Sequence, residues 1–122
     1  MFLDTNFLIA NANGGSHAAR QVDQWIMGGT SLHVSAMAWA EYLCGPLSPA
    51  EEVSTIALLG AIHPVDADIA TLAAQLFNAT GRRSRSLPDC LIAATAILAR
   101  MPLATLNHAD FLPFTPFGLT LA

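Results

Sequence analysis

Ser86-Leu87-Pro88-Asp89-Cys90-Leu91-Ile92-Ala93-Ala94-Thr95-Ala96-Ile97-Leu98-Ala99 is the stretch around which the chain is organised. Leu91, Ala94, Thr95 and Leu98 recur at helical spacing, and the positions between them are nearly as apolar, so the stretch predicts a buried helix. Pro88 suits the first turn, where its missing N–H is not needed, and Ser86 is a candidate N-cap. Asp89 is the only formal charge from Ser86 to Ala99, and it sits at the mouth of the helix. Ser-x-x-Asp resembles a capping box, and an acid in a first turn suits the helix dipole. A structural and a functional role for Asp89 both stay open on this stretch alone.

Outward from that helix, short apolar runs alternate with capped helices. Met1-Phe2-Leu3 reads as a strand stopped by Asp4-Thr5-Asn6, and Phe7 to Ala10 as a short helix. Ser16 opens a helix over His17–Met27 whose buried stripe takes in Ala18, Val22, Trp25 and Ile26, with Gly28-Gly29 as the stop. Leu32-His33-Val34 is a second strand, and Ser35 caps a helix through Cys44. Ser48-Pro49-Ala50-Glu51 starts another, with a cap, a proline at N1 and a glutamate at N3. Ala61 to Val65 reads as a third strand, at a sheet edge because of Pro64. Asp66 caps a helix to Ala79, and Gly81 stops it. Leu103 to Leu106 is a fourth strand, and Phe117 to Leu121 a short edge strand. Such alternation implies α/β architecture: a mainly parallel sheet with helices on both faces.

A chain of 122 residues suits one domain spanning residues 1–122. It is 53% hydrophobic and 11% charged, well below the usual charged share of about 25%. So much apolar surface calls for cover, which predicts a homodimer or a bound partner. A net charge of −4 with no lysine argues against a broad, non-specific grip on nucleic acid, so any chemistry on nucleic acid must come from a local site. Cys44 and Cys90 match no zinc or disulfide spacing and are expected as reduced core thiols. No basic segment precedes an apolar one as in a signal peptide, and the longest apolar run, Cys90 to Ala99, is too short to span a bilayer. A soluble cytoplasmic protein without a membrane role is expected.

The placement of the nine acids is the informative pattern. Glu51, Glu52, Asp66 and Asp68 fall in first turns, where the dipole favours them, and Asp23 can face solvent. The other four are lone charges. Asp4 is the only charged side chain from Met1 to Ala19, Glu41 from Gln24 to Ala50, Asp89 from Ser86 to Ala99, and Asp110 from Met101 to Ala122. Asp4 has a capping alternative and Asp110 a turn alternative. Glu41 has neither, since it lies past the first turn on the stripe of Met37 and Cys44. Asp4 ends the first strand and Asp110 follows the fourth. In open parallel sheets the carboxyl ends of strands at a switch point form the ligand crevice. Carboxylates converging there repel one another. A hard divalent cation, Mg²⁺ or Mn²⁺, held by oxygen ligands at roughly 2.0–2.2 Å removes that cost, and this is the usual apparatus for phosphodiester cleavage.

Leu3-Asp4-Thr5-Asn6, the Ser35…Glu41…Gly45 helix, Asp89-Cys90-Leu91-Ile92-Ala93-Ala94-Thr95-Ala96 and Thr105-Leu106-Asn107-His108-Ala109-Asp110-Phe111 occur in this order along the chain. Together they resemble the PIN-domain family, and within it the VapC-like toxin ribonucleases of toxin–antitoxin pairs. The resemblance implies a three-layer α/β/α sandwich with a four- to five-stranded, mainly parallel sheet. It implies an endoribonuclease dependent on Mg²⁺ or Mn²⁺, with Asp4, Glu41, Asp89 and Asp110 as catalytic and metal-binding acids. Asp4 and Asp89 carry over most directly as ligands; Glu41 would bind a second ion or orient water, and Asp110 would act through water. Thr5, Asn6, Thr105 and Asn107 would be donors that hold those acids. Water would attack phosphorus, leaving 5′-phosphate and 3′-hydroxyl ends. The implied partners are RNA and an antitoxin whose C-terminal segment covers the crevice.

Arg82, Arg83 and Arg85 are three of the five basic residues and form either a solvated loop or an RNA or antitoxin contact. Other readings are a PIN nuclease of RNA processing, a catalytically silent PIN-fold binding subunit, and a signalling receiver domain with Asp66 as phosphoacceptor. The last lacks the lysine that receivers keep near their acid pocket. No histidine is assigned a catalytic role.

Overall fold

The computed structural model describes all 122 residues. Strands β1 (Phe2–Leu3), β2 (His33–Ser35), β3 (Ala61–His63) and β4 (Leu103–Ala104) form one parallel sheet in the order β3-β2-β1-β4. The helices are α1 (Thr5–Ala12), α2 (His17–Met27), α3 (Ala36–Leu43), α4 (Pro49–Leu58), α5 (Ala67–Ala79), α6 (Leu87–Ala99) and α7 (His108–Phe111), and a 3-10 helix over Leu112–Phe117 follows. Side chains alternate across the strands and divide the core in two. Phe2 and Leu103 pack with Ile69, Ala73, Leu76 and Ile92 of α5 and α6. Leu3, Val34 and Ala104 pack on the other face with Phe7, Leu8, Ala18 and Val22 of α1 and α2. The result is the three-layer α/β/α sandwich.

The chain runs outward from β1 through β2 to β3 and then returns to the free side of β1 as β4. The switch point therefore lies between β1 and β4, and the residues after them, Asp4 and Thr105, share one rim.

Several elements differ from the sequence expectation, each for a local reason. The first helix starts at Thr5 rather than Phe7, because Asp4 caps it directly. β3 stops at His63, since Pro64 cannot donate to a ladder. β4 stops at Ala104, and the Leu106 N–H beyond it is taken by Asn6 Oδ1 at 3.1 Å rather than by a ladder. The strand expected over Phe117–Leu121 is reduced to one parallel bridge, Leu103 to Leu121. Pro113 and Pro116 favour the 3-10 turns before it, and these carry Phe114 into the core. On α2 the buried stripe contains Ala19, while Ile26 is exposed. On α6 the buried positions are Cys90 and Ile92 through Ala96, and Leu98 near its end is half exposed. Cys44 is exposed at the end of α3 rather than in the core; Cys90 is buried.

One pair escapes sequence reasoning. His33 Nδ1 and His63 Nε2 lie 2.8 Å apart across the β2–β3 edge, with the Phe2 ring 4.7 Å from that of His63. A single proton between the two nitrogens makes the bond; protonating both removes the acceptor. Burial, then His63 and the chain's amino group, holds His33 below its ordinary 6.5. Its contribution to stability is therefore complete above pH 6.5 and is lost as pH falls below that value. The Tm advantage of the wild type over His33→Gln is expected to shrink between about pH 7.5 and about pH 5 in thermal melts.

Candidate active site

Asp4 occupies the one residue between β1 and α1 and is 4% exposed. Its backbone N–H donates to Ala104 O at 2.9 Å, which extends the β1–β4 ladder by one bond. Its Oδ1 accepts from Thr5 N–H at 2.8 Å, and its Oδ2 accepts from the Thr105 hydroxyl at 2.8 Å. Burial outweighs both bonds and pushes the Asp4 carboxyl above its ordinary range, with Glu41 and Asp110 adding repulsion. The Thr105 hydroxyl in turn accepts from Asn107 N–H at 3.0 Å. Asn107 thus enters through its backbone rather than its side chain. Asn6 Oδ1 ties down Leu106 N–H.

Glu41 reaches the same rim from the last turn of α3, half buried, and its Oε1 accepts from the Thr5 hydroxyl at 2.8 Å. Thr5 therefore links two of the acids, by its N–H to Asp4 and by its hydroxyl to Glu41. Asp89 lies in the first turn of α6. The Ser86 capping bond expected from the sequence is absent: its hydroxyl donates instead to Arg83 O at 2.8 Å. Asp110 is exposed on α7, and the Arg83 guanidinium donates to its backbone carbonyl at 3.4 Å. Asp89 and Asp110 line one cleft of about 250 Å³ together with Arg83, Ser84, Arg85 and Ser86.

These acids feel one another. Burial first, then Asp4, Asp110 and Glu41 in that order of effect, raise Asp89 from 3.8 to about 6, with Arg83 partly opposing them. No three of the acids are drawn tightly enough around one point to enclose an ion. The donors are all hard oxygens, the set suited to Mg²⁺ or Mn²⁺. The largest hollow, about 690 Å³ beside α5 and α6, is a separate feature. Its acids, Asp66 and Asp68, belong to the first turn of α5, where Asp66 caps Ile69 N–H at 2.9 Å.

The PIN domain family model matches residues 1–112, and the chain belongs to the PIN-domain family. A toxin–antitoxin complex from Klebsiella pneumoniae contains a chain 30% identical to this one, with a TM-score of 0.72 over 90% of this chain and 88% of that one. FitAcB from Neisseria gonorrhoeae is similar at 23% identity and a TM-score of 0.76, over 98% of this chain and 94% of that one. VapC20 from Mycobacterium tuberculosis, a sarcin-ricin loop cleaving toxin, is similar at 17% identity and a TM-score of 0.69, over 99% and 97% of the two chains. The last two likenesses concern the fold alone. No curated protein sequence gives a significant match.

Because Asp89 holds its proton more tightly when folded, the metal-free protein loses stability as pH rises from 3.8 through about 6. Asp89→Asn is therefore expected to raise the Tm of the metal-free protein at about pH 7.5 and to leave it nearly unchanged at about pH 4. Thr105→Val strips a buried carboxylate oxygen of its donor, and chemical denaturation should show a loss of about 1–3 kcal/mol.

Proposed function

We propose that this protein is an endoribonuclease of the toxin class, hydrolysing RNA phosphodiester bonds with Mg²⁺ or Mn²⁺ held by Asp4, Glu41, Asp89 and Asp110. The observation that carries the reading is geometric: Thr5 binds Asp4 and Glu41 together, and Asp89 and Asp110 line one cleft. Burial and the three other acids raise Asp89 to about 6, the kind of perturbation that accompanies functional sites. Family membership and the likeness to the Klebsiella toxin–antitoxin complex support the nuclease and antitoxin parts of the reading.

When bound, a hard divalent cation polarises a phosphoryl oxygen and makes water a nucleophile at neutral pH. The protein's own part is positioning. Asp4 is held by two hydrogen bonds and keeps its carboxylate aimed along the rim. The Thr5 hydroxyl fixes Glu41 against it. Asp89 and Asp110 line the adjoining cleft. Asn6 and Thr105 lock the turns that carry these groups.

The reading includes an antitoxin, and a second copy of the chain, as cover for apolar side chains such as Met27, 87% exposed, and Val53, 67% exposed. No helix is long and apolar enough to cross a membrane, and the proposed substrate places the work in the cytoplasm.

Wild-type protein is expected to cleave RNA with Mn²⁺ and to stop on chelation. Asp4→Asn keeps a residue able to cap α1 and should lower kcat by roughly 10²-fold or more. Induced expression should slow growth, and the same variant should relieve it. Mn²⁺ should raise Tm more at about pH 7.5 than at about pH 5, because protons compete for Asp89. RNA left intact, together with a Tm indifferent to Mn²⁺, would sink the proposal.

A further inference from the structure

The three arginines ahead of α6 do not share one environment. Gly81, Arg82 and Arg85 have φ angles of 87°, 52° and 65°, so the loop doubles back between α5 and α6 and sends successive side chains in different directions. Arg82 belongs to α5. Its backbone N–H donates to Phe77 O at 3.0 Å, its guanidinium donates to Asn78 Oδ1, and the same group lies 5.3 Å from the centre of the Phe77 ring. Those contacts hold the guanidinium against α5 by one donor and one face.

Arg83 turns the opposite way. The one hydrogen bond of its guanidinium, to the backbone carbonyl of Asp110, is long at 3.4 Å, so little is lost when the group leaves it. Arg83 and Arg85 stand with Ser84, Ser86, Asp89 and Asp110 around the cleft of about 250 Å³, which has no apolar side chain in its wall. A protein segment docking there would find no apolar anchor of the kind that carries binding energy between proteins. A phosphodiester backbone needs none: it takes charged, forked donors and hydroxyls.

The geometry points to Arg83 and Arg85 as the residues that grip an RNA backbone phosphate beside the acid group, with Arg82 excluded from the grip and serving as a tie to α5. This assignment rests on the nuclease reading above and divides a run of like residues by role. The rest of the chain is net negative, with a formal charge of −4 and no lysine. These two side chains are therefore the local positive charge that lets a polyanion approach four carboxylates. They act on substrate binding rather than on the bond-breaking step.

The test compares Arg82→Gln, Arg83→Gln and Arg85→Asn, asparagine being at ease in the left-handed backbone of position 85. Binding of a fluorescein-labelled single-stranded RNA is read by anisotropy over a salt series, with Mn²⁺ present, in a Glu41→Gln background that suppresses turnover. Cleavage kinetics are measured in the otherwise wild-type chain. Arg83→Gln and Arg85→Asn should each weaken binding about tenfold and reduce the salt slope by about 0.7, raising KM while kcat holds. Arg82→Gln should lower Tm and leave the isotherm in place. Equal weakening by all three variants, or none by Arg83→Gln and Arg85→Asn, overturns the assignment; in the second case the pair is left for a protein partner. RNA that binds through Arg83 and Arg85 but is never cut by the wild-type chain would overturn the nuclease reading and leave the phosphate grip standing.

Discussion

A single buried carboxylate holds the centre of this molecule together. Asp4 joins the ends of β1 and its neighbour β4: its backbone extends the β1–β4 ladder, and its side chain takes one bond from α1 and one from Thr105 beyond β4. Removing a carboxylate from water costs several kcal/mol by itself, and two donors offset only part of that, since the group stays above its ordinary titration range. The bonds also dictate local structure. α1 begins at Thr5 because Asp4 caps it, and β4 ends at Ala104 because the residues after it turn to serve Asp4 and Asn6.

The same arrangement sets stability against function. Burial, with the acids of separate elements around them, raises Asp4 and, most clearly, Asp89 above the ordinary carboxylate range. The two cores can bear this. Phe2, Leu103, Ile92 and Leu76 are fully buried on one face of the sheet, and Leu3, Leu8 and Val34 nearly so on the other. Burial of apolar surface, at about 25 cal/mol per Å², is the favourable term that offsets the cost of these charges. Repulsion at the rim is therefore tolerable to the fold. Thr5 shows how closely the rim is built, since one residue orients both Asp4 and Glu41.

Much of the helical framework is legible from caps. Ser16, Ser35, Ser48 and Asp66 each accept a bond from a backbone N–H of the first turn that they open. Capping is a contact between near neighbours in the chain, so it survives any tertiary context. Ser86 has the same signature but not the bond: its backbone is helical (φ −89°, ψ −8°) where the other caps are extended, and its hydroxyl donates to Arg83 O. Strand ends are illegible for a related reason. Whether Leu106 continues a ladder depends on Asn6, a hundred residues away. Cys44 and Leu98 look like core residues by composition, yet each lies near the end of its helix, where packing partners run out.

The sequence by itself determined the layered α/β order, the family, and the four segments in which an acid stands alone, because periodicity, caps and charge isolation are properties of neighbouring residues. Tertiary structure decided that those segments share a rim, since strand order in the sheet is set by which apolar faces pack together. It also decided that Asp4 is buried and doubly bonded, that His33 meets His63, and that Arg82 and Arg83 point apart. Burial and through-space charge depend on distance, and distances between remote residues exist only once the chain has folded.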